Sequence, residues 1–109
     1  MERILTRQML TILLLVLFPA GFGLRAAAEE ADALAAYDAG DYVEAARIWQ
    51  QRAAAGDAAA KVSLAGLYEL GLGVPLDRQH ALALYREAAA AGDATARRLL
   101  CSRHLGPCR

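Results

Sequence analysis

The 109-residue sequence has few of the residues from which metal and catalytic sites are built. It holds two histidines and two cysteines. A closed structural zinc site takes four ligands, and Cys101, His104 and Cys108 have no fourth ligand nearby. Ser63 and Ser102 begin no S-x-x-K motif and lie in no G-x-S-x-G turn, so a serine nucleophile lacks its usual context. We therefore predict no metal, no cofactor and no catalytic residue.

The chain also lacks a charge excess and a strand pattern. Twelve basic residues balance twelve acidic ones, which gives no argument for a nucleic-acid partner. Few segments favour strands, and none alternates polar and apolar residues over strand length. The Gly71-x-Gly73 pair follows a helical pattern and precedes no strand, so it indicates a turn and not a nucleotide-binding loop.

The first 28 residues have the order of parts found in a secretory signal peptide. Two arginines precede an apolar run of ten residues, Met9–Phe18, and small residues at Ala26–Ala28 offer a cleavage site. We predict a signal peptide over 1–28 and a mature domain over 29–109. The alternative is an uncleaved anchor, although a spanning helix needs roughly 20 apolar residues. Cleavage removes three arginines and one glutamate, which leaves a net charge of about −2.

The mature segment repeats itself at an offset of 36 residues. The segment 53–58 (AAAGDA) matches 89–94, Asp41 falls on Asp77, and Trp49 falls on Tyr85. A period of this length is typical of stacked helical hairpins. Apolar residues recur at helical spacing within each unit, and we expect the aromatic rings of Trp49 and Tyr85 to be buried.

Aspartate and glycine residues mark the expected starts and ends of these helices. An aspartate before each stripe is expected to cap a helix: Asp41, Asp57, Asp77 and Asp93. Glu44 stands three residues after Asp41, as in a capping box. Gly56 and Gly92 stand where a helix ends in a left-handed conformation. We expect a short first helix over 31–39 with Leu34 and Tyr37 inward, and a last helix over 94–105.

These residues resemble the Sel-one-like repeat family, which is related to tetratricopeptide repeats. The resemblance covers one complete repeat, 60–96, with a repeat-like hairpin before it and a truncated unit after it. Its signature consists of small, aromatic and turn residues: Ala60, Leu64, Tyr68, Gly71, Gly73, Asp77, Ala81, Tyr85, Ala88 and Gly92. Three positions depart from the usual pattern: Ala65, His80 and Leu84. The resemblance implies an all-α, α/α-hairpin repeat solenoid of about two and a half repeats.

The resemblance also implies a non-enzymatic module that binds a protein or peptide. In such stacks the first helix of each hairpin lines the concave side, which gives a possible partner-binding surface: Lys61, Val62, Gly66 and Glu69. The leader, together with exported bacterial relatives, predicts a periplasmic or secreted protein of a Gram-negative bacterium. Two alternatives stay open: an envelope hydrolase or β-lactam- or cell-wall-binding protein, and a structural accessory held at the inner membrane.

The two cysteines admit three interpretations. Some cysteine-rich members of the family carry a disulfide in each repeat, and Cys101 and Cys108 resemble that pattern loosely. A disulfide is favoured because an exported chain meets oxidising conditions, while free thiols and a metal site remain alternatives. We expect the disulfide to tie the C-terminal tail to the last helix and to cap the open end of the stack. His80 is expected on the surface, and His104 is a candidate core-edge residue.

Overall fold

The computed structural model describes residues 24–108, and the chain divides into two compact units, Met1–Ala31 and Asp32–Arg109. In the first unit residues 24–31 are helical, and Arg25 pairs with Glu29 across one exposed turn at 3.6 Å. Most of the predicted signal peptide, residues 1–23, lies outside the described residues.

The second unit is built from helices. Every regular element among residues 32–108 is helical, which confirms the all-α prediction. Each of helices α2 to α4 packs against the next helix in the chain. In chain order the helices are α1 (32–38 within this unit), α2 (Tyr42–Ala54), α3 (Ala58–Leu70), α4 (Arg78–Ala90) and α5 (Ala94–Ser102).

Each of the helices α2 to α5 begins at the aspartate that the sequence indicates. The carboxylate of each cap accepts a hydrogen bond from the backbone N–H three residues later. These distances lie between 2.8 Å, at Asp93, and 3.2 Å, at Asp41. The prediction of a capping box at Asp41 is wrong, however. The Glu44 carboxylate binds Arg47 at 2.6 Å, while the Asp41 N–H donates to the Ala36 carbonyl.

Replacing the Asp77 cap with alanine is expected to lower the free energy of unfolding by about 1 kcal/mol, because the His80 N–H then loses its acceptor. Asp38→Ala is the control. Asp38 is exposed in the last turn of α1, where a negative charge opposes the helix dipole, so its removal should cost nothing. Urea denaturation followed by circular dichroism compares the two variants, and equal losses would contradict the capping role.

The ends of α2 and α4 share one hydrogen-bonding pattern. Gly56 and Gly92 adopt left-handed φ values of 94° and 98°, as the sequence indicates. The following N–H groups then fold back, Asp57 to the Arg52 carbonyl at 3.1 Å and Asp93 to the Ala88 carbonyl at 3.0 Å. Each aspartate thus closes one helix with its backbone and caps the next with its side chain.

The core contains many small residues. Eight of the fifteen buried apolar residues in the described part of the chain are alanines, which let helix axes approach closely. Trp49 and Tyr85 fill the larger spaces and are 3% and 5% exposed, so the prediction that both are buried is confirmed. Tyr37 packs its ring 5.9 Å from that of Trp49.

Two predictions about the first and last helices are wrong. Leu34 is 47% exposed, because α1 turns Ala33, which is fully buried, toward the core instead. Helix α5 ends at Ser102 and does not reach residue 105. There the Leu105 N–H folds back to the Leu100 carbonyl at 2.8 Å, and His104 adopts a positive φ of 57°. The reversal occurs without glycine, so composition gave no signal for it.

Candidate functional site

The four residues of the predicted partner-binding surface lie along α3 and are all half-buried. Helix α3 packs against both α2 and α4, and it carries the largest fully buried side chain, Leu67. Val62 packs against the core. Lys61 binds Glu87 of α4 at 3.0 Å. The predicted partner-binding surface is therefore partly engaged in holding α3 to its neighbours.

Glu69, at the end of this stripe, joins three helices. Its carboxylate accepts a hydrogen bond from the Tyr85 hydroxyl on α4 at 3.1 Å. It also binds Arg103, at the end of α5, through two hydrogen bonds of 2.5 and 3.3 Å. The Arg103 guanidinium lies 5.6 Å from the centre of the Tyr85 ring, a favourable distance for a cation–π contact. We call Glu69, Tyr85 and Arg103 the three-helix junction.

Sequence reasoning missed Arg103. At the 36-residue offset it corresponds to Leu67, which is 1% exposed. The residue that follows the last helix is therefore an exposed arginine where the preceding repeat has a core leucine. That departure from the repeat was the available signal. Its physical meaning depends on Glu69, which lies 34 residues away in the sequence.

Burial, together with the negative charge of Glu69 and the hydrogen bond to it, raises the pKa of Tyr85 to about 12. The neutral phenol therefore stabilises the fold below pH 10, and this stability is lost as the pH rises through 12. We expect a loss on the order of 1–2 kcal/mol. Tyrosinate absorbance should rise near pH 12 in the wild type, and this phase should be missing in Tyr85→Phe. An unchanged titration in the variant would contradict the assignment.

A cleft of about 220 Å³ lies beside the three-helix junction. Helices α3, α4 and α5 and the segment after α5 contribute to its walls. Leucine side chains mix there with charged groups, since the lining includes Leu82, Leu99, Leu105, Arg78 and Arg103. Such a surface can take an apolar side chain and place the Arg78 guanidinium near a carboxylate of the bound molecule.

The repeat-signature residues serve packing and turns. Five of them are buried: Ala60, Leu64, Ala81, Tyr85 and Ala88. Gly71, Gly73 and Gly92 have positive φ values, and Asp77 caps α4. Tyr68 is half-buried, with its ring centre 4.3 Å from that of His80, which is exposed.

The cysteines and serines do not line the cleft beside the three-helix junction. Cys101 and Cys108 form a disulfide, with their Cα atoms 4.8 Å apart. The Ser102 hydroxyl donates to the Leu99 carbonyl of its own helix at 2.9 Å, and Ser63 is half-buried on α3. His104 is exposed, so the core-edge position considered for it is wrong. Within residues 24–108, no three side chains of the types that bind metals come together.

Among the described helices, none has both the length and the apolar character needed to cross a membrane. Compared with known proteins, the chain matches no family model, no curated protein and no solved structure.

Proposed function

We propose that residues 29–109 form a Sel-one-like, tetratricopeptide-related helical repeat domain that binds a protein or peptide in the bacterial periplasm or cell envelope. On this proposal the domain catalyses no reaction, and the residues before it direct export.

The repeat is supported by matching burial at the 36-residue offset. Five pairs of core residues are buried at both positions, on equivalent faces of α2 and α4 or of α3 and α5: Ala45 and Ala81, Ile48 and Leu84, Trp49 and Tyr85, Ala60 and Ala96, Leu64 and Leu100. The junctions at Gly56-Asp57 and Gly92-Asp93 share the same hydrogen bonds. Repetition of both the core and the caps supports the proposal that the helices form repeated units stacked side by side.

Binding is supported by the cleft beside the three-helix junction. It borders the predicted partner-binding surface at Glu69 and presents leucine side chains next to Arg78. A peptide with an apolar side chain flanked by a carboxylate fits this chemistry. The cleft is the single observation that carries the binding function.

Site-specific crosslinking in intact cells tests the proposal. A photoreactive residue replaces Leu82 in the cleft, and a second variant carries it at Gln51, an exposed position on α2. We expect a discrete crosslinked protein from position 82, and none from position 51. Changing Arg78 to glutamate should weaken the crosslink, since it reverses the charge presented to an acidic peptide. Equal crosslinking from both positions, or none from 82, would contradict the binding site.

Export is tested separately. N-terminal sequencing of protein from the periplasmic fraction should give a mature chain that starts at Glu29. An intact N-terminus in the membrane fraction would instead support the anchored accessory.

A further inference from the structure

The disulfide closes a short loop at the end of the described chain. Cys101 lies on α5 and is half-buried, while Cys108 is exposed after Pro107. We call residues 102–107, which lie between the two cysteines, the C-terminal loop. Because one of the two sulfurs belongs to an exposed residue, a thiol in solution can approach the bond from the Cys108 side.

The C-terminal loop carries contacts that extend beyond itself. Arg103 binds Glu69 of α3 and lies over the Tyr85 ring. Gly106 lies so close to Leu100 that a Cβ there would come within 3.0 Å of the leucine Cβ. The C-terminal loop therefore contributes Arg103 to the three-helix junction and packs against Leu100 of the core, and the disulfide closes the loop that makes both contacts.

The surroundings of the disulfide are electropositive. Arg97 and Arg98 stand four and three residues before Cys101, a spacing that places all three on one helix face. They line a shallow hollow of about 480 Å³ together with both cysteines, and its lining contains no acidic residue. The guanidinium of Arg97 donates to the Gly92 carbonyl and that of Arg98 to the Thr95 hydroxyl, so neither charge is neutralised by these bonds.

We propose that Cys101–Cys108 is a thiol–disulfide exchange site that reacts preferentially with anionic thiols. A thiolate attacks the Sγ of Cys108 and forms a mixed disulfide there. The bond to Cys101 breaks, and its electron pair leaves on the Cys101 Sγ as a thiolate. Positive charge beside this sulfur stabilises the thiolate and makes it a better leaving group.

A second thiolate completes the exchange. It attacks the sulfur that the first reagent contributed to the mixed disulfide and releases Cys108 as a thiolate. Two thiols are thereby oxidised to one disulfide, and their two protons pass to Cys101 and Cys108. The reduced C-terminal loop is no longer closed, so Arg103 separates more readily from Glu69, and the loop becomes accessible to proteases.

The test compares two thiols of opposite charge on the oxidised full chain. Reduction by glutathione, which is anionic, and by cysteamine, which is cationic, is followed by mass spectrometry of alkylated protein. In the double variant R97Q/R98Q the glutathione-to-cysteamine rate ratio should fall about tenfold, since local charge steers an anionic reagent. The control R47Q removes an exposed arginine of α2, a helix that contributes no residue to this hollow, and it should keep the wild-type ratio.

Two further readouts keep the result interpretable. In the wild type, the glutathione-to-cysteamine ratio should fall as salt is added, which requires no variant to fold. Trypsin should cleave after Arg103 faster in the reduced chain than in the oxidised one. Charge is expected to steer the anionic thiol to this site. The proposal would be overturned if the glutathione-to-cysteamine rate ratio changed by less than about twofold both with added salt and in the double variant. Equal trypsin cleavage in both redox states would also overturn it.

Discussion

Replacing Gly73 with alanine is expected to lower the free energy of unfolding by about 2–4 kcal/mol. Gly73 lies in the loop between α3 and α4 with φ at 68°, in the left-handed region. A Cβ there would lie 2.7 Å from the backbone nitrogen of Val43, and closer still to the carbonyl of Tyr42. The loop packs on the first turn of α2 through backbone, which cannot move aside as a flexible side chain can.

Gly56→Ala is the matched control for this prediction. Gly56 also has a positive φ, of 94°, but a Cβ there meets no atom within 4 Å. Its replacement should cost only the conformational penalty, about 1 kcal/mol. Chemical denaturation of both variants separates the cost of a left-handed backbone conformation from the cost of the steric clash made by the added Cβ. Equal losses would contradict the close approach of the α3–α4 loop to α2.

Leu67→Ala is expected to cost about 2–5 kcal/mol, because the cavity it leaves is enclosed by packed helices. Leu67 is 1% exposed, and α3 packs on both α2 and α4. Leu70→Ala, one turn later on the same helix, removes the same atoms from a side chain that is 65% exposed. It should change stability by less than about 0.5 kcal/mol. Similar effects at the two positions would mean that the Leu67 side chain is not enclosed in the core.

The sequence predicts the second unit well where the signal is local. Each aspartate cap follows from a side chain that reaches an N–H group three residues later, and this geometry needs no tertiary information. The burial of Trp49 and Tyr85 follows from helical spacing of apolar residues, since one face of each helix must meet the core.

The sequence predicts less where the structure depends on contacts between residues that are distant in the chain. Leu34 is more apolar than Ala33, yet α1 places the alanine in the core and leaves the leucine exposed. The three-helix junction joins Glu69 to Arg103, and no local pattern marks either residue as a partner of the other. The sequence predicts Glu69 on a partner-binding surface. In the structure its carboxylate also joins α3 to Tyr85 of α4 and to Arg103 at the end of α5.

The association of α3 with α4, and with Arg103 at the end of α5, underlies the core and the cleft. A nuclear Overhauser spectrum of the oxidised protein measures it most directly. We expect cross-peaks between the Tyr85 ring and Gly66, and between the Tyr85 ring and the Arg103 side chain, whose guanidinium lies 5.6 Å from the ring centre. Helical chemical shifts without either cross-peak would contradict the account, because the helices would then form without packing in this order.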